Sequence, residues 1–258
     1  MRTNRLILTG IFLLMLIGAL ACRKDKNNND DTGRISMRLT DAPADYDAVY
    51  IDIQQVEFKM RGRAAIMLTP NRPGMYNVLN FRNGTDTLLV NTTVPVGDIE
   101  QVRLILGANN YVVVDGDTYP LTTPSGQQSG VKLNLHTTIE ANASYDMWID
   151  FDAGKSVNHT GSGKYQLKPV IRAYSALTNG RIEGYVLPLS AMATVYAING
   201  ADTVSAIPAP DGHFVISGLA EGSYQLYIEP AVLTFASFST NVNVSFGVIA
   251  NVGTITLL

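Results

Sequence analysis

The chain has 258 residues, more than one average domain and too few for three. Its 19 Lys and Arg against 22 Asp and Glu exclude a basic field for nucleic acid, and 46% hydrophobic with only 16% charged residues excludes a disordered, strongly charged chain. The 22 Gly, 11 Pro and 12 Tyr suit strands joined by turns better than long helices.

At the N-terminus, Arg2 and Arg5 precede an uncharged run over 6–21, a basic segment followed by an apolar one of signal-peptide length. Sixteen residues are short for a transmembrane helix. The run ends in Gly18-Ala19-Leu20-Ala21-Cys22, small residues leading directly into the single cysteine. This resembles a bacterial lipoprotein signal, although Ala19 stands where a Leu is usual. The resemblance implies loss of 1–21 as a signal peptide and lipidation of Cys22. Residues 22–32 then form a short polar, disordered tether, since 23–31 contain nothing apolar to pack. Each buried CH₂ of an attached acyl chain contributes about 0.8 kcal/mol, so several chains hold a protein on a bilayer without spanning it. Arg23, rather than Asp, after the Cys implies outer-membrane sorting in a diderm. The expected location is therefore the cell envelope.

The rest of the chain alternates with period two. Ile35, Met37 and Leu39 face one way while Ser36, Arg38 and Thr40 face the other, and Val49, Ile51 and Ile53 repeat the pattern. So do Val102, Leu104 and Leu106, then Val131, Leu133 and Leu135, and last Tyr145, Met147, Ile149 and Phe151. Turn signals at Thr40-Asp41-Ala42-Pro43, Asn83-Gly84, Asp115-Gly116 and Pro124-Ser125-Gly126 separate them. Near Thr178-Asn179-Gly180 a second series begins, with strands expected at 181–186, 193–198, 213–216, 224–228, 242–246 and 253–257. The reading is all-β, with two antiparallel β-sandwich-like domains over 33–176 and 180–258.

Three motifs carry a family resemblance. Leu39-Thr40-Asp41-Ala42-Pro43, Thr123-Pro124-Ser125-Gly126 through Gly130-Val131-Lys132, and Asp150-Phe151-Asp152-Ala153-Gly154-Lys155-Ser156 with Leu167-Lys168-Pro169-Val170 resemble, over about 33–174, domain-of-unknown-function family 4382. That family implies a lipoprotein location and no active site. Asp211-Gly212-His213-Phe214 through Gly222-Ser223-Tyr224-Gln225-Leu226 resembles the carboxypeptidase-regulatory-like, transthyretin-like sandwich, a spacer or interaction module without peptidase activity. Phe214 and Tyr224 should point inward.

Candidate chemistry is sparse. His136, His159 and His213 lack a strand-to-helix elbow presenting a serine, His159 lying in a Gly-rich loop. Gly154-Lys155-Ser156 lacks the opening Gly of a phosphate-binding loop, because position 149 is Ile149. Asp115-Gly116 suits a tight hairpin better than a calcium loop, and Asp41, Asp45 and Asp47 suit an Asx-type turn with solvated charges better than an oxygen cage. No metal and no cofactor is expected.

One strand stands out. Opposite its apolar face, Asp146, the only Trp, Trp148, Asp150 and Asp152 share a side, with Lys155 just beyond. Trp148, Asp150, Asp152 and Lys155 are the candidate ligand-binding set, an indole and carboxylates suited to a sugar or a cation. The other reading is a covered Trp, with Asp150 and Asp152 paired to Lys132, Lys155, Lys168 or Arg172. The expected function is a non-enzymatic binding or adhesion module, membrane-bound through its lipid, with a glycan or protein as ligand. One alternative is a surface glycoside hydrolase using Asp150 and Asp152. Against it, residues i and i+2 stand about 6.5 to 7 Å apart on a single wall, whereas such an enzyme flanks its bond with carboxylates. The other alternative is a structural assembly subunit.

Overall fold

The computed structural model describes residues 31–123, 131–161, 163–176 and 179–258, apart from the side chains of Asn134 and His136. The leader, Cys22 with most of its tether, Pro124-Ser125-Gly126 with Gly130, and Thr178 lie outside the described residues.

The first strands are β1 (Thr32–Ala42), β2 (Ala48–Met60), β3 (Ile66–Leu68), β4 (Gly74–Asn77), β5 (Thr87–Pro95), β6 (Gly97–Leu106) and β7 (Tyr111–Val114). There follow β8 (Asp117–Thr122), β9 (Val131–Ile139), β10 (Ser144–Asp152), the single turn α1 (Ala153–Ser156), β11 (Val157–His159), β12 (Tyr165–Leu167) and β13 (Ile171–Ser175). They make a four-stranded sheet in the order β13-β10-β1-β5 and a nine-stranded sheet running β11-β12-β8-β7-β2-β6-β9, with β3 and β4 paired to β2. Alternation sets the faces: Ile35, Met37 and Leu39 of β1 and Met147, Ile149 and Phe151 of β10 are fully buried. In β2 a bulge after Ile53 moves the buried phase from Val49, Ile51 and Ile53 to Val56 and Phe58, so one long strand keeps its apolar face inward through a bend. The Asp115-Gly116 hairpin forms as its sequence requires. Val114 pairs with Asp117, both central residues have positive φ, and the Asp47 carboxylate accepts from the Gly116 N–H at 2.9 Å.

The second group is β14 (Gly180–Leu187), β15 (Ala193–Asn199), β16 (Asp202–Ala206), β17 (His213–Leu219), β18 (Gly222–Pro230), β19 (Phe238–Val244) and β20 (Ile249–Thr256). It forms two sheets, β17-β14-β20 and β16-β15-β18-β19. Its buried side chains, among them Ile182, Val195, Leu226 and Ile228, make a cluster separate from that of the first sandwich. Phe214 and Tyr224 both point into it.

Five expectations need correction. The turn expected at Thr40-Asp41-Ala42-Pro43 is strand as far as Ala42, because Thr40, Asp41 and Ala42 continue β1 in register with β10. The sheets are not purely antiparallel, because β1 with β10, β8 with β12 and β14 with β20 run parallel. Parallel neighbours need long crossovers, and many residues separate each of these pairs in the chain. His159 lies in β11, not in a loop. The expected strand at 242–246 is β19, which ends at Val244, because Gly247 at φ +66 turns the chain and leaves Phe246 48% exposed. The one expected at 253–257 is β20, which begins at Ile249; Gly253 at φ +68 sits where the β14–β20 register shifts and breaks the alternation.

Candidate functional site: a carboxylate seam between two sandwiches

The parallel register aligns Thr40 with Asp150, Asp41 with Phe151 and Ala42 with Asp152, so two motifs distant in sequence lie side by side. They are tied directly. Asp41 Oδ1 accepts from the Ala153 N–H at 3.0 Å. Asp152 caps α1, accepting from the Lys155 N–H at 2.9 Å, and its other oxygen meets Lys155 Nζ at 2.9 Å. Lys155 Nζ also donates to the Thr203 carbonyl of β16 at 3.4 Å.

Asp150 is buried, and Arg172 of β13, directly opposite in register, meets its Oδ2 through Nε at 3.0 Å and again through Nη2. Burial works against the guanidinium charge, but Asp150, Tyr174 and Asp152 together more than offset it, so Arg172 holds its proton more firmly than usual. From the same side chain, Nη1 and Nη2 donate to the Gly218 and Ser217 carbonyls at 3.4 Å, which ties β10 and β13 to β17. Asn83 adds a second tie. At φ +57 it turns its amide to the edge of β17, donating to the His213 carbonyl at 2.9 Å and accepting from the Val215 N–H at 3.1 Å. The side chain thus stands where a neighbouring strand would be.

Trp148 is half-buried. Its ring lies 5.7 Å from that of Tyr174 and within 9° of parallel, and its Nε1 donates to Asp86 at 2.8 Å. Asp86 also holds Arg38 at 2.6 Å. The candidate set therefore separates into three neighbourhoods, Trp148 with Asp86 and Tyr174, Asp150 with Arg172, and Asp152 with Lys155. Of the four cations considered for pairing, the structure uses Arg172 and Lys155.

Sequence reasoning passed over Asp86 and read Asp41 and Asn83 only as turn residues. Asp41 is 5% exposed and its Oδ2 has no hydrogen-bond partner among the described residues. Burial raises its pKa well above the ordinary aspartate value; the Ala153 N–H opposes this, Asp150 and Asp152 reinforce it, and Arg82 opposes it. With Thr40, Asp150, Arg172 and Ser217 it lines a small chamber of about 20 Å³ between the sandwiches. A raised carboxyl pKa means the folded state binds the extra proton, so its contribution to stability is present at low pH and is lost as pH rises through the folded pKa. Asp41→Asn is expected to remove that dependence. Denaturant unfolding of both proteins from pH 4 to 8 should show the variant gaining on wild type as pH rises; parallel profiles would contradict it.

Beside the seam lies an open cleft of about 820 Å³. Asp45, Asn80, Arg82 and Thr85 of the first sandwich form a polar wall, and Pro188, Leu189, Met192, Pro208 and Pro210 of the second an apolar one. Leu189 and Met192 are 50% and 69% exposed, and Met192 is held at φ +48, a conformation unusual for a non-glycine residue. His159 and His213 pack on Tyr165 and Tyr185. The His136 side chain lies outside the described residues. Among the described residues no group of three or more His, Cys, Asp or Glu has a metal-holding arrangement, and no helix is long and apolar enough to cross a membrane.

The model of the DUF4382 family, a domain of unknown function, matches residues 32–169, more than half of the chain. The chain belongs to this family. The DUF4382 match contains both motifs that meet at Asp41 and Ala153 and ends before β13, so Arg172 lies beyond it. No curated protein matches the chain. Among solved structures it is similar to the Bacillus anthracis TIE protein, with 10% identity and TM-score 0.26, covering 88% of this chain and 34% of that one. It is similar to the shaft pilin SpaA of Lactobacillus rhamnosus GG at 9% identity and TM-score 0.25, covering 88% and 96%. BcpA, the major pilin subunit of Bacillus cereus, is similar at 11% identity and TM-score 0.23, covering 88% and 70%. The chain spans about a third of the TIE protein chain and 26% of a leucine-rich repeat protein from Bacteroides thetaiotaomicron.

Proposed function

We propose that the chain is a non-enzymatic binding or adhesion module held at the cell envelope, on the outer membrane, by a lipid on Cys22. The observation that carries the reading is the cleft between the sandwiches, which opposes an apolar wall to a polar one in a space large enough for an extended ligand. A glycan chain or a peptide segment with one apolar and one hydrogen-bonding side fits that division. The seam supports the non-enzymatic part, since Asp150 and Asp152 are engaged by Arg172 and Lys155. The second sandwich is, in this reading, a carboxypeptidase-regulatory-like module that supplies the apolar wall, supported by the inward Phe214 and Tyr224 on β17 and β18, which a short turn joins from one sheet to the other.

The Trp148 face is a second reading, favoured by one observation: the half-buried indole is fixed by Asp86 and Tyr174 and so offers its exposed part in one orientation. Titration with glycans and peptides separates the two. Cleft binding predicts at least a tenfold loss of affinity in Met192→Lys at unchanged melting temperature, with little response of the single Trp. Binding at Trp148 predicts a fluorescence shift lost in Trp148→Ala. For the anchor, Cys22→Ala should move the protein from the membrane to the soluble fraction; firm membrane association of the variant would refute lipidation.

A further inference from the structure

The two open edges of the second sandwich differ in a way that points to a partner. On one side, β16 and β17 face the first sandwich, where Lys155, Arg172 and Asn83 bond to them. On the opposite side β19 pairs only with β18, and β20 only with β14, among the described residues. A bare strand edge invites pairing, and proteins that avoid it place charge or proline there. Here neither is present. Pro230–Leu258 contains no Asp, Glu, Lys, Arg or His, in a chain that is 16% charged, and no proline after Pro230. Exposed Leu233, Phe238, Phe246, Val248, Ile249 and Leu258 all fall in this segment.

We propose that β19 is an assembly edge that pairs antiparallel with β19 of a second copy of this chain, giving a closed two-fold dimer. Three observations select that occupant. In a two-fold contact each side chain near the axis meets its own copy, so like charges would repel, and a charge-free edge meets that requirement. A head-to-tail arrangement would need the face of the first sandwich that docks on strand edges, and Asn83 and Arg172 already commit that face to β17 of the same chain. Between the two free edges, β20 is bent by Gly253 at φ +68, whereas β19 pairs with β18 residue for residue from Phe238 to Val244 without a shift. Its midpoint, Asn241, is exposed and would lie on the axis.

The test uses the full chain extracted from membranes in detergent, with mass measured by light scattering corrected for bound detergent. Wild type should have twice the chain mass. Asn241→Lys with Asn243→Lys should halve it while leaving the melting temperature within about 2 °C. Separately, Asn241→Cys should give a covalent dimer on mild oxidation in intact cells, with no dimer from Thr254→Cys or from the parent, whose only cysteine is Cys22. A monomeric wild type, a ladder of higher oligomers, or equal cross-linking at 241 and 254 would each overturn the proposal. The dimer does not depend on the cleft, so loss of pairing with ligand binding intact refutes this inference alone.

Discussion

Arg172→Met is expected to lower the unfolding free energy by about 3 kcal/mol, toward the lower end of the range for breaking a buried pair. The lower end applies because the Arg172 side chain is 34% exposed whereas that of Asp150 is only 7% exposed. Removing the guanidinium leaves the Asp150 carboxylate facing Asp41 and Asp152 with no cation across the strand. The hydrogen bonds to the Ser217 and Gly218 carbonyls go with it. The effect should therefore be larger than for Lys155→Met, because the Lys155 side chain is 58% exposed and its pairing is screened by solvent. Adding Asp150→Asn to Arg172→Met should restore at least half of the loss, since the cost lies in the unpaired charge rather than in a missing attraction. Urea unfolding at neutral pH measures all four proteins. Equal, small losses for Arg172→Met and Lys155→Met would show that the seam carries little.

The second large effect is expected at Gly218. Its φ is +71, and a Cβ there would stand 2.5 to 3.0 Å from three atoms of the Tyr174 ring. The ring has little room to retreat, because Trp148 is stacked on it. Backbone strain of about 1 to 2 kcal/mol and overpacking of about 1 to 3 kcal/mol therefore add in Gly218→Ala. Because the clash lies between the sandwiches, it should part them before it unfolds either. Small-angle scattering should show an increased radius of gyration, and the fluorescence of the single Trp should change as Tyr174 is displaced. A variant that loses stability at unchanged radius would show that Tyr174 moves within the first sandwich instead.

The period-two patterns around Ile35, Val102 and Tyr145 gave the core strands of the first sandwich, because each strand has one face on apolar side chains and one on solvent. The Asp115-Gly116 turn was legible for a local reason, the positive φ that its residues tolerate. What escaped depends on partners distant in the chain. Parallel pairing of β1 and β10 joins residues more than a hundred positions apart, and nothing in either strand's own sequence announces it. The companions of Trp148 and Asp150 illustrate the same point. The strand face was read correctly, but Asp86 arrives from the segment before β5, and Arg172 was one of four cations that sequence alone could not rank. Asp41 reads as a turn residue because its motif ends in Pro43, yet it belongs to the end of β1; only the burial of that strand end against α1 and the second sandwich makes its carboxyl unusual. Edge strands such as β16 were missed because a short, half-polar strand lacks the alternation of a buried one.

On the proposed reading, Asp150 and Asp152 tie the two sandwiches together in a binding module and transform no ligand. Product analysis decides this: cell-envelope polysaccharide fragments and peptides, including at least one shown by calorimetry to bind, are incubated with the purified chain and examined by mass spectrometry. The bound ligand should be recovered intact from the wild type and from Asp150→Asn alike. Cleavage by the wild type that disappears in Asp150→Asn, at a melting temperature showing the fold retained, would contradict it.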